Sequence, residues 1–240
     1  MLTGAPMQQM PENLIERAEF REREGIFRNR RHAGRVLADM MADRLAPDCL
    51  VLAVPAGGVP VACTLAEMLA LESDVVVVSK ITFPWNSEAG YGAVAQNGLV
   101  RLNDRIMAEV RLNQSEIHDG ISTTTAKVNR RIKAFRGDHT APDIRRRPAV
   151  IVDDGLASGT TMSVAIEAVT EMGAASISVA IPTGHLESIS RISVEVERIY
   201  CANVRSGMRF AVAAAYQQWS DVAESEAIAM MSKRDRPAEQ

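Results

Sequence analysis

Apolar and polar residues alternate in blocks along the chain, and the block lengths predict a succession of strands and helices. Residues 14–45 read as helical with Gly25 as a break. Ala33, Leu37, Met40, Met41 and Leu45 recur at intervals of three and four, so the second half carries one apolar stripe ending before Pro47. Residues 50–54 form a short β-rich run, followed by a turn over 55–60, an Ala/Leu-rich helix over about 61–71 and a strand at 75–78. A strand, helix, strand order of that length calls for a parallel pair joined by a right-handed crossover. A second unit of the same kind covers 149–152, 160–172 and 176–181, then a short helix at 186–192 and a strand at 196–200.

Between the two units the periodicity lapses. Residues 81–98 hold Thr82, Pro84, Trp85, Asn86, Ser87, Gly90, Gly92 and Asn97, a long glycine-bearing excursion of the kind that carries function in compact domains. A short strand at 99–102 follows, then a polar helix over about 115–135 with Ile117, Ile121, Val128, Ile132 and Phe135 on its apolar side, and a charged linker over 136–148. Residues 1–11 read as a loose tail and 224–231 as a terminal helix packed in a small cap. The alternation predicts an α/β fold. It divides the chain into an N-terminal helical segment or cap (1–46), a core (47–205) and a C-terminal cap segment (206–240).

Composition narrows the function classes. A chain of 240 residues suits one α/β domain with an appended element, and 47% hydrophobic with 24% charged residues is ordinary for a globular enzyme. A net charge of −3 gives no electrostatic case for nucleic acid. Arg17, Arg21, Arg23, Arg28, Arg30, Arg31 and Arg35 interleave with Glu16, Glu19, Glu22 and Glu24, which reads more readily as a solvated, salt-bridged helix face than as a binding patch. Cys49, Cys63 and Cys201 have no metal or redox spacing, as expected for a reduced cytoplasmic compartment. No run approaches the roughly 18 apolar residues of a membrane span, and no leader pattern opens the chain, so a soluble, unexported protein is expected. His32, His118, His139 and His185 also lack metal spacing, although His185 follows a strand end.

The candidate chemistry lies in residues 149–162, AVIVDDGLASGTTM. An apolar strand runs into Asp153 and Asp154, and Gly155, Leu156, Ala157, Ser158, Gly159, Thr160 and Thr161 then turn toward a helix. Such a loop converges backbone N–H groups on a helix N-terminus and favours a phosphate, with hydroxyls from Ser158, Thr160 and Thr161. Two acids would repel a bare phosphate, so they imply a neighbouring polyol or Mg²⁺, and a ribose 5-phosphate satisfies both halves. From the pattern alone, a magnesium site of another doubly wound protein, or merely solvated turn residues, are equally open.

VIVDDGLASGTT resembles the phosphoribosyl-pyrophosphate (PRPP) signature of the type I phosphoribosyltransferases, element by element. The resemblance covers about residues 50–200. It implies a three-layer, doubly wound, mainly parallel sheet with a small helical cap from the termini, and transfer of the 5-phosphoribosyl group of PRPP to a nitrogen of a base or similar acceptor, with release of pyrophosphate. Carried over by position, Asp153 and Asp154 face the ribose hydroxyls and hold Mg²⁺ directly or through water, and 157–161 hold the 5-phosphate. Ala56, Gly57 and Gly58 lie where the family places its pyrophosphate loop, Lys80 where it often presents a basic residue to the pyrophosphate, and 81–98 where it carries a mobile closing loop. Arg30-Arg31-His32-Ala33-Gly34 and GAVAQNG resemble bacterial phosphoribosyltransferases of unassigned substrate, and a homodimer is the family's common assembly.

Three positions depart from the pattern. Ala56 stands where many relatives have Arg or Lys, which favours the rival reading of a PRPP-sensing module without turnover. Ala157 replaces the Asp that 6-oxopurine enzymes use on the base, and Gly155 replaces an aliphatic residue. Trp85 is read as a packing anchor before a base-stacking residue, and 210–221 (FAVAAAYQQWSD) as core before a clasp on the base.

Overall fold

The computed structural model describes residues 10–233, so the expected tail over 1–11 lies outside the described residues except for its last two. Six parallel strands form the central sheet: β1 (Leu14–Glu16), β2 (Leu50–Ala53), β3 (Ser73–Val75), β7 (Pro148–Val152), β8 (Ser176–His185) and β9 (Arg198–Arg205). Their spatial order is β1-β9-β8-β7-β2-β3. Every residue of β2 is buried, as an apolar run without alternation requires when helices cover both faces. On one face, Val51, Ala53 and Val150 pack with α1 (Arg30–Met41), α2 (Gly58–Leu69), α4 (Gln114–Arg136) and α7 (Glu224–Met231). On the other, Leu50, Leu52 and Ile151 pack with α5 (Thr160–Glu171) and α6 (Leu186–Ser193). This is the expected three-layer, doubly wound α/β arrangement. From β2 the chain steps outward to β3 and later returns to β7 on the opposite side, so β2 and β7 flank the point where strand order reverses. Open sheets bind ligands at that point.

The helical reading of 14–45 holds only for α1. Leu14, Ile15 and Glu16 pair with Ile199, Tyr200 and Cys201 at the edge of the sheet, and a short 3-10 helix spans Ala18–Phe20. Some of the charges that mimicked a helix face pair locally, Arg21 with Glu16 and Arg17 with Glu19, and Glu24 pairs with the distant Arg205, while Glu22 and Gly25 take positive φ values of 58° and 63°. α1 starts where Asn29 Oδ1 accepts from the His32 amide at 3.0 Å.

The 75–78 strand is divided. β3 ends at Val75, and β4 (Val78–Phe83) leaves the sheet to pair antiparallel with β5 (Asn86–Ala95), which pairs with β6 (Val100–Leu102). The aperiodic 81–98 excursion is thus largely a β-hairpin. Its signal was weak because two of its strand positions are glycines with little room for a side chain: a Cβ on Gly92 would sit 2.6 Å from the Arg101 carbonyl, and one on Gly90 would sit 2.8 Å from the Ile81 carbonyl. α3 (Asp104–Glu109), a short helix capped by Asn103, lies between the strand expected at 99–102 and the helix expected over about 115–135. Among the described residues no helix is long and apolar enough to cross a membrane.

Candidate active site

β2 and β7 are neighbours in register, Ala53 opposite Val152, so the loops that follow them emerge side by side. They touch closely. A Cβ on Gly57 would lie 2.2 Å from Asp154 Oδ2, and one on Gly58 would lie 2.6 Å from the Val152 carbonyl. Gly57 has ordinary right-handed helical angles, so glycine is required there for space and not for conformation. Gly57 is therefore brought against Asp154 and Gly58 against Asp153, with Ala56 just before them, and the bond between Pro55 and Ala56 is cis.

The second loop is anchored from below. The Leu156 amide donates to the Thr183 carbonyl and the His185 amide to the Leu156 carbonyl, each at 2.9 Å, which pins the loop to the end of β8. Ser188 Oγ donates to the Ala157 carbonyl, and Arg191 Nη1 donates to the Ser158 carbonyl at 2.8 Å. With those carbonyls held toward α6, the loop can present its amides outward. Gly159, at φ +73°, turns the chain into α5, whose first-turn N–H groups have no intrahelical acceptor. Ala157, Ser158, Thr160 and Thr161 are exposed around that turn, and Gly159 is buried. Ser188 and Arg191 were not legible as site residues, since a lone Ser and Arg on a short helix carry no pattern.

Arg30, buried at the first turn of α1, donates from Nε to Asp154 Oδ2 at 2.8 Å and from Nη1 to the Ser220 carbonyl at 2.8 Å. Its guanidinium lies 3.9 Å from the centre of the Trp219 ring. Tyr216 donates to the Asp154 carbonyl at 2.6 Å, and the Asp154 amide to Asp153 Oδ1 at 2.8 Å. Burial, and then the Asp154 charge, push Asp153 well above the usual carboxylate range. Burial raises Asp154 as well, with the Arg30 guanidinium working against it. The arginine-rich segment therefore supplies a buried partner of the acid pair, which its reading as a solvated face missed.

Residues 210–221 run along this site. Val212 occupies the space above Gly155, where a Cβ would meet Val212 Cγ1 at 2.4 Å. The small residue at 155 thus has a steric reason. Phe210 lies edge-on to His185 at 5.6 Å between ring centres. On the other side, Arg131 of α4 donates from Nη2 to the Pro55 carbonyl at 3.3 Å and pairs with Glu224 at 3.1 Å. It also reaches Ser79 Oγ at 3.4 Å. Lys80 follows on β4 as an exposed residue, so the hairpin strand passes beside the first loop. Farther along the hairpin, Phe83 stacks on Trp85 at 5.3 Å, and Trp85 is 63% exposed.

Metal chemistry fits only in part. No group of three or more His, Cys, Asp or Glu among the described residues could hold a metal. Two acids with phosphate oxygens suit Mg²⁺, which keeps waters and substrate oxygens in its shell.

The phosphoribosyl transferase domain family matches residues 26–215, a span that contains both loops, the hairpin and the Val212 segment. The chain belongs to that family. Two Mycobacterium tuberculosis proteins, "Putative phosphoribosyl transferase MT0597" and "Putative phosphoribosyl transferase Rv0571c", are each 30% identical over 211 residues, 88% of this chain and 47% of theirs. The chain thus spans about half the length of these curated relatives. The crystal structure of TT1426 from Thermus thermophilus superposes with a TM-score of 0.69 at 31% identity, covering 85% of this chain and 97% of that one.

Proposed function

We propose that the protein is a Mg²⁺-dependent phosphoribosyltransferase that moves the 5-phosphoribosyl group of PRPP to a nitrogen of a small acceptor and releases pyrophosphate. One observation carries the reading: the Asp154 carboxylate and the Gly57 backbone are in contact, so a sugar on the acids has its C1 substituent over the glycine loop. The amides and hydroxyls of 157–161 anchor the 5-phosphate, and Asp153 and Asp154 orient the ribose hydroxyls. Amides of Gly57 and Gly58, with Lys80, receive the leaving pyrophosphate as the sugar passes through an oxocarbenium-like transition state. Mg²⁺ on the phosphate oxygens would neutralise part of the leaving group's charge. The β4–β5 hairpin closes over the centre and excludes water.

Ala56 supports a second reading, a PRPP-sensing module without transfer, because the glycine loop carries no cation of its own. Arg131 favours the first, since its guanidinium reaches the carbonyl of Pro55, the residue before Ala56. Turnover separates them. Incubation of the protein with Mg²⁺, PRPP and a panel of nitrogen bases is expected to release pyrophosphate above background with at least one base; PRPP binding without release from any base supports the sensor.

A further inference from the structure

We infer that Arg30 is a positioning residue that joins the sugar-binding acid to the C-terminal segment, so that donor binding at Asp154 and the placement of Trp219 are one event. The inference rests on the PRPP reading of the acids.

Three contacts of one guanidinium carry it. Nε is on Asp154 at the end of β7, Nη1 is on the Ser220 carbonyl, and the flat face lies on Trp219 at 3.9 Å. The Arg30 side chain is 10% exposed and that of Asp154 is 15% exposed, so neither can exchange its partner for bulk water without a rearrangement. A guanidinium is the side chain that offers two fixed in-plane donors and a stacking face at once, whereas an ammonium offers a point charge. Trp219 is held less firmly by packing. It is 37% exposed and borders an open groove of about 600 Å³ lined also by Asn29, Arg31, Gln217 and Gln218. Its ring is held by the cation beneath it and by Tyr216, whose ring centre is 5.1 Å away and whose hydroxyl donates to the Asp154 carbonyl. A sugar hydroxyl that donates to Asp154 shares that carboxylate with Arg30, and any shift of the guanidinium moves the Ser220 carbonyl and the Trp219 ring with it.

Trp85 and Trp219 are the two tryptophans of the chain, so a Trp85→Phe background leaves Trp219 as the sole indole reporter. In that background Mg·PRPP is titrated by calorimetry and by tryptophan fluorescence, with Arg30, Arg30→Lys and Arg30→Gln compared. With Arg30 the emission is expected to change on binding and to saturate at the calorimetric Kd. Arg30→Gln is expected to weaken binding by on the order of 100-fold and to abolish the response at saturation, because a charge-assisted buried pair is lost. Arg30→Lys restores part of the affinity through its charge but not the response. Should the Gln variant fail to fold, the Lys variant decides: a full response there overturns the inference. Binding by Arg30→Gln within twofold of the parent, or an intact response in it, overturns the inference and leaves the donor reading standing. A parent that shows no Mg·PRPP binding overturns the donor reading and the inference together.

Discussion

Gly57→Ala adds one methyl group at the most crowded point between the two loops. Its Cβ would lie 2.2 Å from Asp154 Oδ2 and 2.7 Å from Cγ, whereas real Cβ atoms essentially never approach another atom within 3.0 Å. Either the loop or the carboxylate must therefore retreat by close to an ångström, and the carboxylate is fixed by a 2.8 Å bond from Arg30. A retreat of that size can carry the bond outside hydrogen-bonding range. Overpacking a tight site costs about 1–3 kcal/mol, and weakening a buried charge-assisted bond adds about 1–2 kcal/mol. For a chain of this size the combined loss lowers Tm by on the order of 5–10 °C. The backbone itself is under no strain with alanine, because Gly57 sits at φ −59° and ψ −39°. Differential scanning calorimetry and PRPP titration are the assays, with Gly207→Ala as control, since a Cβ there meets nothing within 4 Å. The expected result is a drop in Tm and at least tenfold weaker PRPP binding for Gly57→Ala, and no change for the control. A Gly57→Ala protein with parental Tm and parental affinity would refute the claim that the loops are packed to contact.

Three further changes test neighbouring parts of the site. Asp153 is raised by burial and by the Asp154 charge, so its contribution to stability is present below the usual carboxylate range and is lost as pH rises through its raised value. Asp153→Asn should therefore raise Tm at neutral pH while binding PRPP less well; a lower Tm at pH 7 contradicts the assignment. Gly155→Val meets Val212 at 2.4 Å and should lose about 1–3 kcal/mol, recovered in part by Val212→Ala; additive losses in the double-mutant cycle contradict direct contact. Arg131→Gln removes the donor to the Pro55 carbonyl and the partner of Glu224, and is expected to weaken inorganic pyrophosphate binding at least tenfold by calorimetry; unchanged affinity removes Arg131 from the loop's support.

The parallel core was legible because its strands are short apolar runs bounded by turn residues, and 149–152 and 224–231 read close to their observed bounds as β7 and α7. The acid pair and the loop that follows it were legible because every group lies on one continuous stretch. What sequence reasoning missed is contributed across space. β1 is three residues long and is stabilised by pairing with β9, which no local period records. The hairpin reads as a loop because Gly90 and Gly92 replace side chains that its packing cannot hold. Arg30 looks like one more charge in an arginine-rich run, and its value as a partner of Asp154 exists only once α1 lies against the end of β7. Ser188, Arg191 and Arg131 likewise support the loops from helices distant in the chain.

The central claim is that PRPP binds across the two loops at the ends of β2 and β7. The most direct measurement is isothermal titration calorimetry with Mg²⁺ and PRPP, on the parent and on Asp154→Asn. Saturable binding of one PRPP per chain, weakened at least tenfold by the substitution, is the predicted result. No binding by the parent, or equal binding by Asp154→Asn, would contradict it.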